Sequence, residues 1–476
     1  MVFSSLIFIC FFLPVVLFLY YIVPDIKHKN LVLILASLFF YAWGGSEYVL
    51  LLIGVVLINY FGGILIYKFS AWRSYILALG VLANVGILGY FKYAGFIVDN
   101  INKILNKAFI LPNIVLPIGI SFYVFQGLSY LIDVYRYYHG TNEFNDKLKG
   151  CEVQKNPLKL LLYISLFPQL IAGPIVRYKD ISTQISKRKF SLEEIAGGIE
   201  RFVVGLAKKV IIADNVGLVA DNIFSLPGGQ LATDIAWIGA LCYSLQIYFD
   251  FMGYSDMAIG LAEMFGFRFQ ENFNYPYISK SISEFWRRWH ISLSSWFRDY
   301  VYIPLGGSRK GNVYIHLLIV FFLTGVWHGA QWSFIAWGLW HGIFIIFEKW
   351  IQKKNIKFSV PVFIKWMYTT LIVILGWVLF RAHSFLDGLY YWKRMIGRGY
   401  FYFQPFGWRY YLNNKVIFII TIAILLSVFP VKKWIDELQN KKMGQVIIKI
   451  GSAVLLIICI VTIINSSYSP FIYFRF

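Results

Sequence analysis

The chain has 476 residues, of which 59% are hydrophobic, 20% aromatic and only 14% charged, and Lys and Arg outnumber Asp and Glu by 44 to 24. An ordinary soluble domain has about 25% charged and about 45–50% apolar residues, so these figures exclude a soluble globular protein, a disordered chain, a collagen and a coiled coil. They predict an all-α polytopic membrane protein whose excess basic residues lie in loops between apolar runs. No soluble basic domain is left to bind a nucleic acid, and we expect none as a partner.

Apolar runs that approach the roughly 20 residues needed to span a bilayer recur along the chain. We predict membrane spans at 3–23, 48–67, 75–91, 114–135, 197–219, 233–252, 313–327, 331–348, 361–380, 415–430 and 446–464, with a shorter run at 31–43. The first run lacks a basic leading region and a cleavage site, so we expect a retained helix that bends near Pro14. The run 160–175 is interrupted by Pro168, Gly173 and Pro174. This predicts a re-entrant segment buried among other helices, because lipid cannot satisfy the backbone groups of a broken helix.

Basic residues flank alternate spans and predict an orientation. In the first part of the chain these residues are Lys27, Lys29, Lys68, Arg73, Arg136, Lys147, Lys149 and Lys155. Because cytoplasmic loops are enriched in Lys and Arg, they place these loops in the cytoplasm and the N-terminus outside. The basic loops 349–357 and 432–442 fit the same side. The basic stretch 381–409 falls on the opposite side, which leaves the topology of the C-terminal part open.

The longest interruption between spans, residues 267–312, predicts a cytoplasmic, interfacial amphipathic segment. On a helical wheel over 284–300, at about 100° per residue, aromatic residues share one face and charged residues share another. The aromatic residues are Phe285, Trp289, Trp296 and Tyr300, and the charged residues are Glu284, Arg287, Arg288, Arg298 and Asp299. His290 lies at the border between the two faces, which a simple membrane-surface anchor does not explain.

His328 lies at the break between the runs 313–327 and 331–348, which together predict a helical hairpin. An ionisable side chain inside a membrane segment is costly and by default indicates a functional site. An imidazole titrates close enough to neutral pH to act as a general base. A packed histidine bonded to a neighbouring carbonyl explains the residue equally well. His290 and His341 are further candidates of the same kind.

A metal site formed by these histidines is not expected. His341 lies thirteen residues beyond His328, which is about 220° around a helix, so the two do not share a face. No nearby Asp, Glu or Cys completes the three or four ligands that zinc requires. The four cysteines are far apart and show neither a disulfide framework nor a zinc spacing.

Several longer motifs resemble the membrane-bound O-acyltransferase family. The most specific is FWRRWHISLSSWFRDYVYIPLGGSRKG at 285–311, and TGVWHG at 324–329 is similar to the histidine motif of that family. Further matches are GISFYVFQ at 119–126, FPQLIAGPIVR at 167–177 and YSDMAIGLA at 254–262. The resemblance covers nearly the whole chain. Within the family the chain looks like the alginate O-acetyltransferase membrane subunits and their peptidoglycan and exopolysaccharide relatives.

The resemblance implies a single membrane-embedded domain over 1–476. Its expected architecture is a ring of about 11–12 transmembrane helices, with re-entrant and interfacial helices, around a central buried histidine site. His328, in the hairpin 313–348, matches the essential histidine of the family, and His290 matches its second site position. The Tyr-Ile-Pro-Leu-Gly-Gly of 302–307 is typical of the alginate-like branch and favours acetyl over D-alanyl transfer.

The reaction that the resemblance implies is transfer of an acetyl group from a cytoplasmic thioester across a bacterial inner membrane. Acetyl-CoA is the expected co-substrate, and no bound cofactor is expected. In proteins of this kind the acetyl group passes to an extracytoplasmic serine hydrolase-like acetyltransferase or polysaccharide synthesis complex. The acceptor that is finally modified is a polysaccharide.

The resemblance also suggests roles for individual side chains. His328 is expected to take the proton of the acceptor hydroxyl, and His290 to orient His328 or to bond the acyl carbonyl. Candidates for substrate binding are Trp327, Trp289, Arg287, Arg288, Arg298, Asp299, Arg309 and Lys310. The basic members could hold the phosphates of coenzyme A, or could serve membrane topology and contacts with anionic lipid. Asp299 could pair with one of the arginines.

Three alternatives remain open. A D-alanyl transferase of teichoic acid modification would take its acyl group from a small carrier protein. A transporter or channel explains the buried histidines but not the interfacial segment. A non-catalytic anchor for a secretion complex should tolerate substitution of His328, which an enzyme should not.

Overall fold

The computed structural model describes residues 1–110, 114–139, 150–354, 360–466 and 468. Every regular element in these ranges is a helix, which confirms the all-α prediction. Lys147, Lys149 and the end of the predicted loop 349–357 lie outside the described residues. The helices divide into two compact units, one formed by Met1–Phe202 with Ser255–Gln270 and the other by Val203–Tyr254 with Glu271–Phe476.

The first unit contains nine complete helices and parts of two more within the described residues. They are α1 (Leu13–Ile22), α2 (Ile26–Ala42), α3 (Tyr48–Lys68), α4 (Arg73–Leu88), α5 (Ala94–Leu105), α6 (Ile120–His139), α7 (Pro157–Ser165), α8 (Phe167–Leu170), α9 (Tyr178–Ser186), the beginning of α10 (Leu192–Ala207) and the end of α12 (Thr233–Met264). A π-helical turn, Phe8–Phe12, leads into α1, so the first span carries its irregular turn just before Pro14.

The interrupted run 160–175 is buried in the first unit, as predicted. α7 ends at Ser165, Leu166 is extended, and α8 begins with Pro168 in its first turn, where a missing N–H is tolerated. The broken backbone finds partners inside the protein, because the Phe167 N–H donates to the Ser37 Oγ atom at 3.0 Å. The Phe167 N–H at the break is therefore satisfied by protein, as a helix break inside a membrane requires.

The second unit contains the remaining helices of the described chain. They are the end of α10, α11 (Asp214–Phe224), most of α12, α13 (Ile282–Arg288), α14 (Ile291–Phe297), α15 (Val313–His328), α16 (Trp332–Lys353), α17 (Val362–Arg381), α18 (Phe385–Met395), α19 (Trp408–Tyr411), α20 (Asn414–Val428), α21 (Val431–Gln439) and α22 (Lys442–Asn465). π-Helical turns join α10 to α11 at Lys208–Ala213 and follow α14 at Arg298–Tyr302.

The prediction of one continuous helix over 284–300 is wrong, because the chain breaks between α13 and α14. His290 adopts a left-handed conformation with a φ of 44°. The peptide groups around the break bond to the preceding segment: the Ile291 N–H donates to the Asn272 carbonyl at 3.0 Å, and the Asn274 N–H donates to the Arg288 carbonyl at 2.9 Å. These bonds replace the helical bonds that a continuous helix would make.

The predicted aromatic face of this segment is confirmed, whereas the predicted charged face is exposed at two of its five residues and half-buried at Glu284, Arg288 and Asp299. The aromatic residues of the wheel, which are Phe285, Trp289, Trp296 and Tyr300, are all buried, and Arg287 and Arg298 are exposed. The start of α13 is fixed by the Glu348 carboxylate of α16, which accepts the Ile282 and Ser283 backbone N–H groups at 2.6 and 2.9 Å. A carboxylate at a helix N-terminus also complements the helix dipole.

α15 and α16 form the predicted hairpin, and two glycines let the helices approach closely. A Cβ atom on Gly338 would lie 2.3 Å from the Phe321 carbonyl oxygen, and one on Gly325 would lie 2.5 Å from the Phe334 carbonyl oxygen. Small residues at such crossings are typical of membrane helices. The close approach fixes the C-terminal end of α15, where His328 lies.

The chain is a multi-pass membrane protein. Among the described residues, six helices are long and apolar enough to span a membrane: Tyr48–Lys68, Ser70–Leu105, Thr233–Met264, Trp332–Lys353, Val362–Arg381 and Lys442–Asn465. Three shorter apolar helices are Phe8–Ile22, Val313–His328 and Asn414–Val428. The predicted runs 114–135 and 197–219 are also largely helical, although their helices fall short of the hydropathy of the others.

Candidate active site

The structure brings His328 and His290 into one buried aromatic cluster of the second unit. His328 is the last residue of α15 and His290 lies at the junction of α13 and α14, and both are buried. The Trp327 ring contacts both of them, with its centroid 4.9 Å from the His328 ring and 6.2 Å from the His290 ring. Trp327, which precedes His328 in the sequence motif, is therefore the residue that joins His328 to His290.

His328 is surrounded by aromatic rings that three different helices supply. Besides Trp327, the rings of Trp337 on α16 and Phe380 on α17 lie 4.9 and 5.1 Å from the His328 ring. All three pairs meet edge to face, at interplanar angles of 77°, 89° and 78°. This is a favourable aromatic geometry, and it gives the imidazole a surrounding of low polarity in which electrostatic interactions are strong.

His290 is held by polar groups on one side and by an aromatic ring on the other. Its Nδ1 atom lies 3.1 Å from the Asn272 Oδ1 atom, which also accepts the Ser292 hydroxyl at 2.8 Å. The Phe251 ring of α12 packs edge to face at 4.6 Å. Burial lowers the pKa of the His290 imidazole to about 3. Since desolvation disfavours the charged form, His290 is neutral at physiological pH.

A cavity of about 420 Å³ lies between α13, α14, α15 and α16. It is lined by Ser283, Trp286, Arg287, Ile291, Leu293, Ser294, Ser295, Phe297, Arg298, Tyr302, Leu317, Val320, Phe321, Thr324 and Ile345. Thr324 lies one helical turn before His328 on α15, and Ile291 directly follows His290. The cavity thus extends along the helices that carry both histidines, with mainly apolar walls and two exposed guanidinium groups.

The predicted substrate-binding residues separate into different groups. Arg287 and Arg298 line the cavity, whereas Arg309 and Lys310 are exposed in the turn before α15 and do not line it. Arg288 donates to the Glu284 carboxylate at 3.0 Å and to the Asn274 carbonyl at 3.1 Å.

Asp299 forms an ion pair with the adjacent Arg298, with 2.9 Å between the Arg298 Nε and Asp299 Oδ1 atoms. Pairing of Asp299 with an arginine was one of the predictions from the sequence. Trp289 packs against Trp377 and Phe273 in the hydrophobic core of the second unit.

His341 is a third buried histidine in the same unit. It has no exposed surface, and among the described residues neither of its ring nitrogens has a hydrogen-bond partner. Its ring lies 5.3 Å from Trp286 and 5.4 Å from Trp337. Gly376 leaves room for it, since a Cβ atom there would lie 2.7 Å from the His341 Nε2 atom. By contrast, the His316 Nδ1 atom is 2.9 Å from the Gly307 carbonyl oxygen, as expected of a hydrogen-bonded core histidine.

The sequence alone did not identify Asn272, Ser292, Phe251, Trp337 or Phe380 as neighbours of the histidines. None of these five residues belongs to a motif, or has a spacing, by which a functional site can be recognised in a single sequence. No group of three or more His, Cys, Asp or Glu residues that could hold a metal ion occurs in the part of the chain that the structure describes.

The chain is similar in sequence to known acyltransferases. The model of the membrane-bound O-acyltransferase family matches residues 151–392, a range that contains both histidines and the cavity. The chain is 40% identical to a protein of Pseudomonas putida named a probable alginate O-acetylase, with 100% of both chains covered. A peptidoglycan O-acetyltransferase of Helicobacter pylori is 39% identical over 83% of this chain and 80% of its own. A teichoic acid D-alanyltransferase of Bacillus subtilis is 32% identical over 51% of this chain and 62% of its own.

Proposed function

Because the chain belongs to the membrane-bound O-acyltransferase family and is an acyltransferase, we propose that it transfers an acetyl group from cytoplasmic acetyl-CoA across the membrane. The group is destined for O-acetylation of an extracytoplasmic polysaccharide. The names of the relatives from Pseudomonas putida and Helicobacter pylori support acetyl as the group and a polysaccharide as the acceptor. The observation that carries the proposal is the cavity lined by Arg287 and Arg298. Its walls also include Ile291, which follows His290, and Thr324, which lies one helical turn before His328.

The donor enters through this cavity with its phosphates outermost. Arg287 and Arg298 bind the phosphates of coenzyme A, since guanidinium groups pair well with phosphate oxygens. The apolar walls formed by Leu317, Val320 and Phe321 accommodate the acyl-bearing arm. The thioester is thereby brought along α15 toward His328.

In the chemical step His328 removes the proton from the acceptor hydroxyl. The hydroxyl oxygen attacks the thioester carbonyl carbon, the new C–O bond forms, and the C–S bond breaks. The sulfur of coenzyme A leaves with the proton that His328 returns, so that the imidazole is neutral again after each turnover. His290 orients His328 or bonds the acyl carbonyl. The buried surroundings limit hydrolysis of the thioester by water.

Similarity over most of the chain favours acetyl over D-alanyl transfer. The relatives from Pseudomonas putida and Helicobacter pylori match 100% and 83% of the chain and are named an O-acetylase and an O-acetyltransferase. D-alanyl transfer from a carrier protein is the second candidate, because a teichoic acid D-alanyltransferase matches about half of the chain.

The acceptor is a partner on the outer face of the bacterial inner membrane. We assign this place to a serine hydrolase-like acetyltransferase or a polysaccharide synthesis complex, which passes the acetyl group to the polysaccharide. The N-terminus lies on the same outer side, since the basic loops after α1, α3 and α6 are cytoplasmic. Copurification of such a partner with the tagged protein supports this part of the proposal, and acetylation that proceeds in its absence contradicts it.

The donor is tested with purified protein in lipid vesicles, supplied in parallel with labelled acetyl-CoA and with a D-alanyl carrier protein. Release of free coenzyme A with label on the partner supports acetyl transfer. Release of the D-alanyl group alone would establish the second candidate. Reaction with neither donor, in the presence of the partner, would contradict both.

A further inference from the structure

Asn272 is the centre of a buried hydrogen-bond cluster that holds His290. Its Oδ1 atom lies 3.1 Å from the His290 Nδ1 atom, 2.8 Å from the Ser292 Oγ atom and 3.3 Å from the Ser292 backbone nitrogen. Its backbone carbonyl accepts the Ile291 N–H at 3.0 Å. Asn272, His290 and Ser292 are each only 1% exposed, so water does not compete for these bonds.

The backbone of Ser292 determines which atom of the Asn272 amide faces His290. An amide group can be turned to present either its oxygen or its nitrogen. A backbone N–H can only donate, so the amide atom that it meets is the oxygen. The Ser292 hydroxyl has one proton and, at 2.8 Å from this oxygen against 3.4 Å from the His290 Nδ1 atom, gives it to Asn272. The His290 Nδ1 atom must therefore carry a proton to bond the same oxygen.

We propose that Asn272 is a positioning residue that holds His290 as the tautomer protonated at Nδ1. The lone pair then lies at Nε2, on the opposite side of the ring, and a neutral His290 can only accept a hydrogen bond there. This inference rests on the proposed function and decides between the two roles of His290. An acceptor at Nε2 can hold the N–H of His328 or the hydroxyl of the acyl acceptor, but it cannot donate to the acyl carbonyl.

The backbone at this position supports the same assignment. His290 has a φ of 44°, a conformation that residues with a side chain rarely adopt. It persists because Asn272 bonds the two residues that follow, Ile291 through its carbonyl and Ser292 through its side chain. One asparagine therefore fixes both the direction of the imidazole and the nitrogen that carries its proton, as outer partners of functional histidines do.

The tautomer can be measured without any assay of activity. Solid-state nitrogen NMR of protein labelled at histidine, in lipid vesicles, distinguishes a protonated from an unprotonated ring nitrogen, and a His290→Asn variant identifies which signals belong to His290. We expect a protonated Nδ1 and an unprotonated Nε2. A His290 protonated at Nε2 would overturn the proposal, whether or not acetyl transfer is observed.

Kinetics separate positioning from a merely structural role. Asn272→Asp keeps an oxygen acceptor and should retain kcat within about tenfold, whereas Asn272→Leu removes it and should lower kcat by about 10²-fold or more. KM for acetyl-CoA should stay unchanged in both. Ser427→Ala is the control, because it removes a buried hydroxyl that bonds the Ala423 carbonyl within α20, outside the cluster, and it should resemble wild type. Equal losses of kcat in Asn272→Asp and Asn272→Leu would contradict the assignment of Asn272 as a positioning residue. If Asn272→Leu does not fold, the NMR result and the kcat of Asn272→Asp still test the proposal.

Discussion

His328 and His290 are held by two different kinds of neighbour. Aromatic rings pack around His328, whereas His290 is fixed by the Asn272 amide on one side and the Phe251 ring on the other. The rings around His328 make its surroundings less polar, so its electrostatic interactions with a bound substrate are strong. A ring that is hydrogen-bonded at one nitrogen has its direction and tautomer set in advance. This difference agrees with a proton-transfer role for His328 and an orienting role for His290.

The cavity arginines give a test at the residue scale. In an Arg287→Ala/Arg298→Ala variant, we expect KM for acetyl-CoA to rise at least about tenfold with little change in kcat, because a hydrogen bond to a charged group contributes about 1.5–3 kcal/mol. Arg309→Ala/Lys310→Ala removes the same charge from an exposed turn outside the cavity lining and is the matched control. Equal KM values in the two variants would assign all four residues to topology or lipid.

The low pKa of His290 predicts a pH dependence of stability. The pKa is about 3 in the folded protein against 6.5 ordinarily, so the unfolded chain binds this proton more tightly. Stability should therefore fall as the pH is lowered below about 6.5, by about 2 kcal/mol from this group at pH 5. Unfolding in detergent at pH 8 and pH 5 measures the change. A His290→Asn variant, which cannot titrate, should lose less stability on acidification, and an identical loss would show that His290 does not contribute.

The sequence singled out the two histidines of the candidate site, but it did not indicate the residues that support them. His328 and His290 stand in long motifs, which a single sequence can reveal. Asn272 lies eighteen residues from His290 and is joined to it only by hydrogen bonds of the folded chain. The four basic residues Arg287, Arg298, Arg309 and Lys310 look alike in the sequence. Folding alone places two of them at the cavity.

At the scale of elements, periodicity predicted that four aromatic residues of 284–300 share a buried face, but not that the helix is interrupted. Two helices of seven residues each, joined at His290, bury the same aromatic residues as one long helix would. The break depends on backbone bonds to Asn272 and Asn274. A helical wheel contains no information about such remote partners, so the break could not be predicted from it.

Because α15 and α16 cross closely, adding one methyl group at the crossing should lower the stability of the protein. Gly338→Ala would place a Cβ atom 2.3 Å from the Phe321 carbonyl oxygen. The helices must then separate, which should lower stability by about 1–3 kcal/mol and displace His328, reducing acetyl transfer. Gly86→Ala, in α4, is the control, because nothing lies within 4 Å of its Cβ. An unchanged melting temperature for Gly338→Ala would contradict the close packing.

At the scale of the whole molecule, hydropathy predicted most of the spans. Nine of the eleven predicted runs match helices that are apolar enough to be spans or shorter apolar helices. The runs 114–135 and 197–219 are the exceptions. α6 carries polar residues such as Gln126, Ser129 and Asp133, all of which are buried inside the first unit. Polar side chains that are buried inside a protein lower the hydropathy of a helix without exposing polar groups to lipid.

The predicted orientation can be tested by labelling two engineered cysteines. In a Cys10→Ser background, where the remaining native cysteines are buried, an impermeant thiol reagent should label Ser46→Cys from the outside of intact cells. Ser308→Cys, in the turn before α15, should react only in inverted vesicles. Both serines are exposed in the structure. The reverse pattern would contradict a cytoplasmic cavity mouth and with it the side from which the donor enters.

The most direct test of acyl transfer at His328 uses inverted membrane vesicles that contain the partner. Acetyl-labelled acetyl-CoA is supplied to the cytoplasmic face, and release of free coenzyme A is followed for wild type, His328→Ala and His383→Ala, the last being an exposed histidine that serves as control. We predict release by wild type and His383→Ala and a loss of at least about 10²-fold in His328→Ala. Equal release by all three proteins, with each one intact in the membrane, would contradict the assignment of His328 as the base.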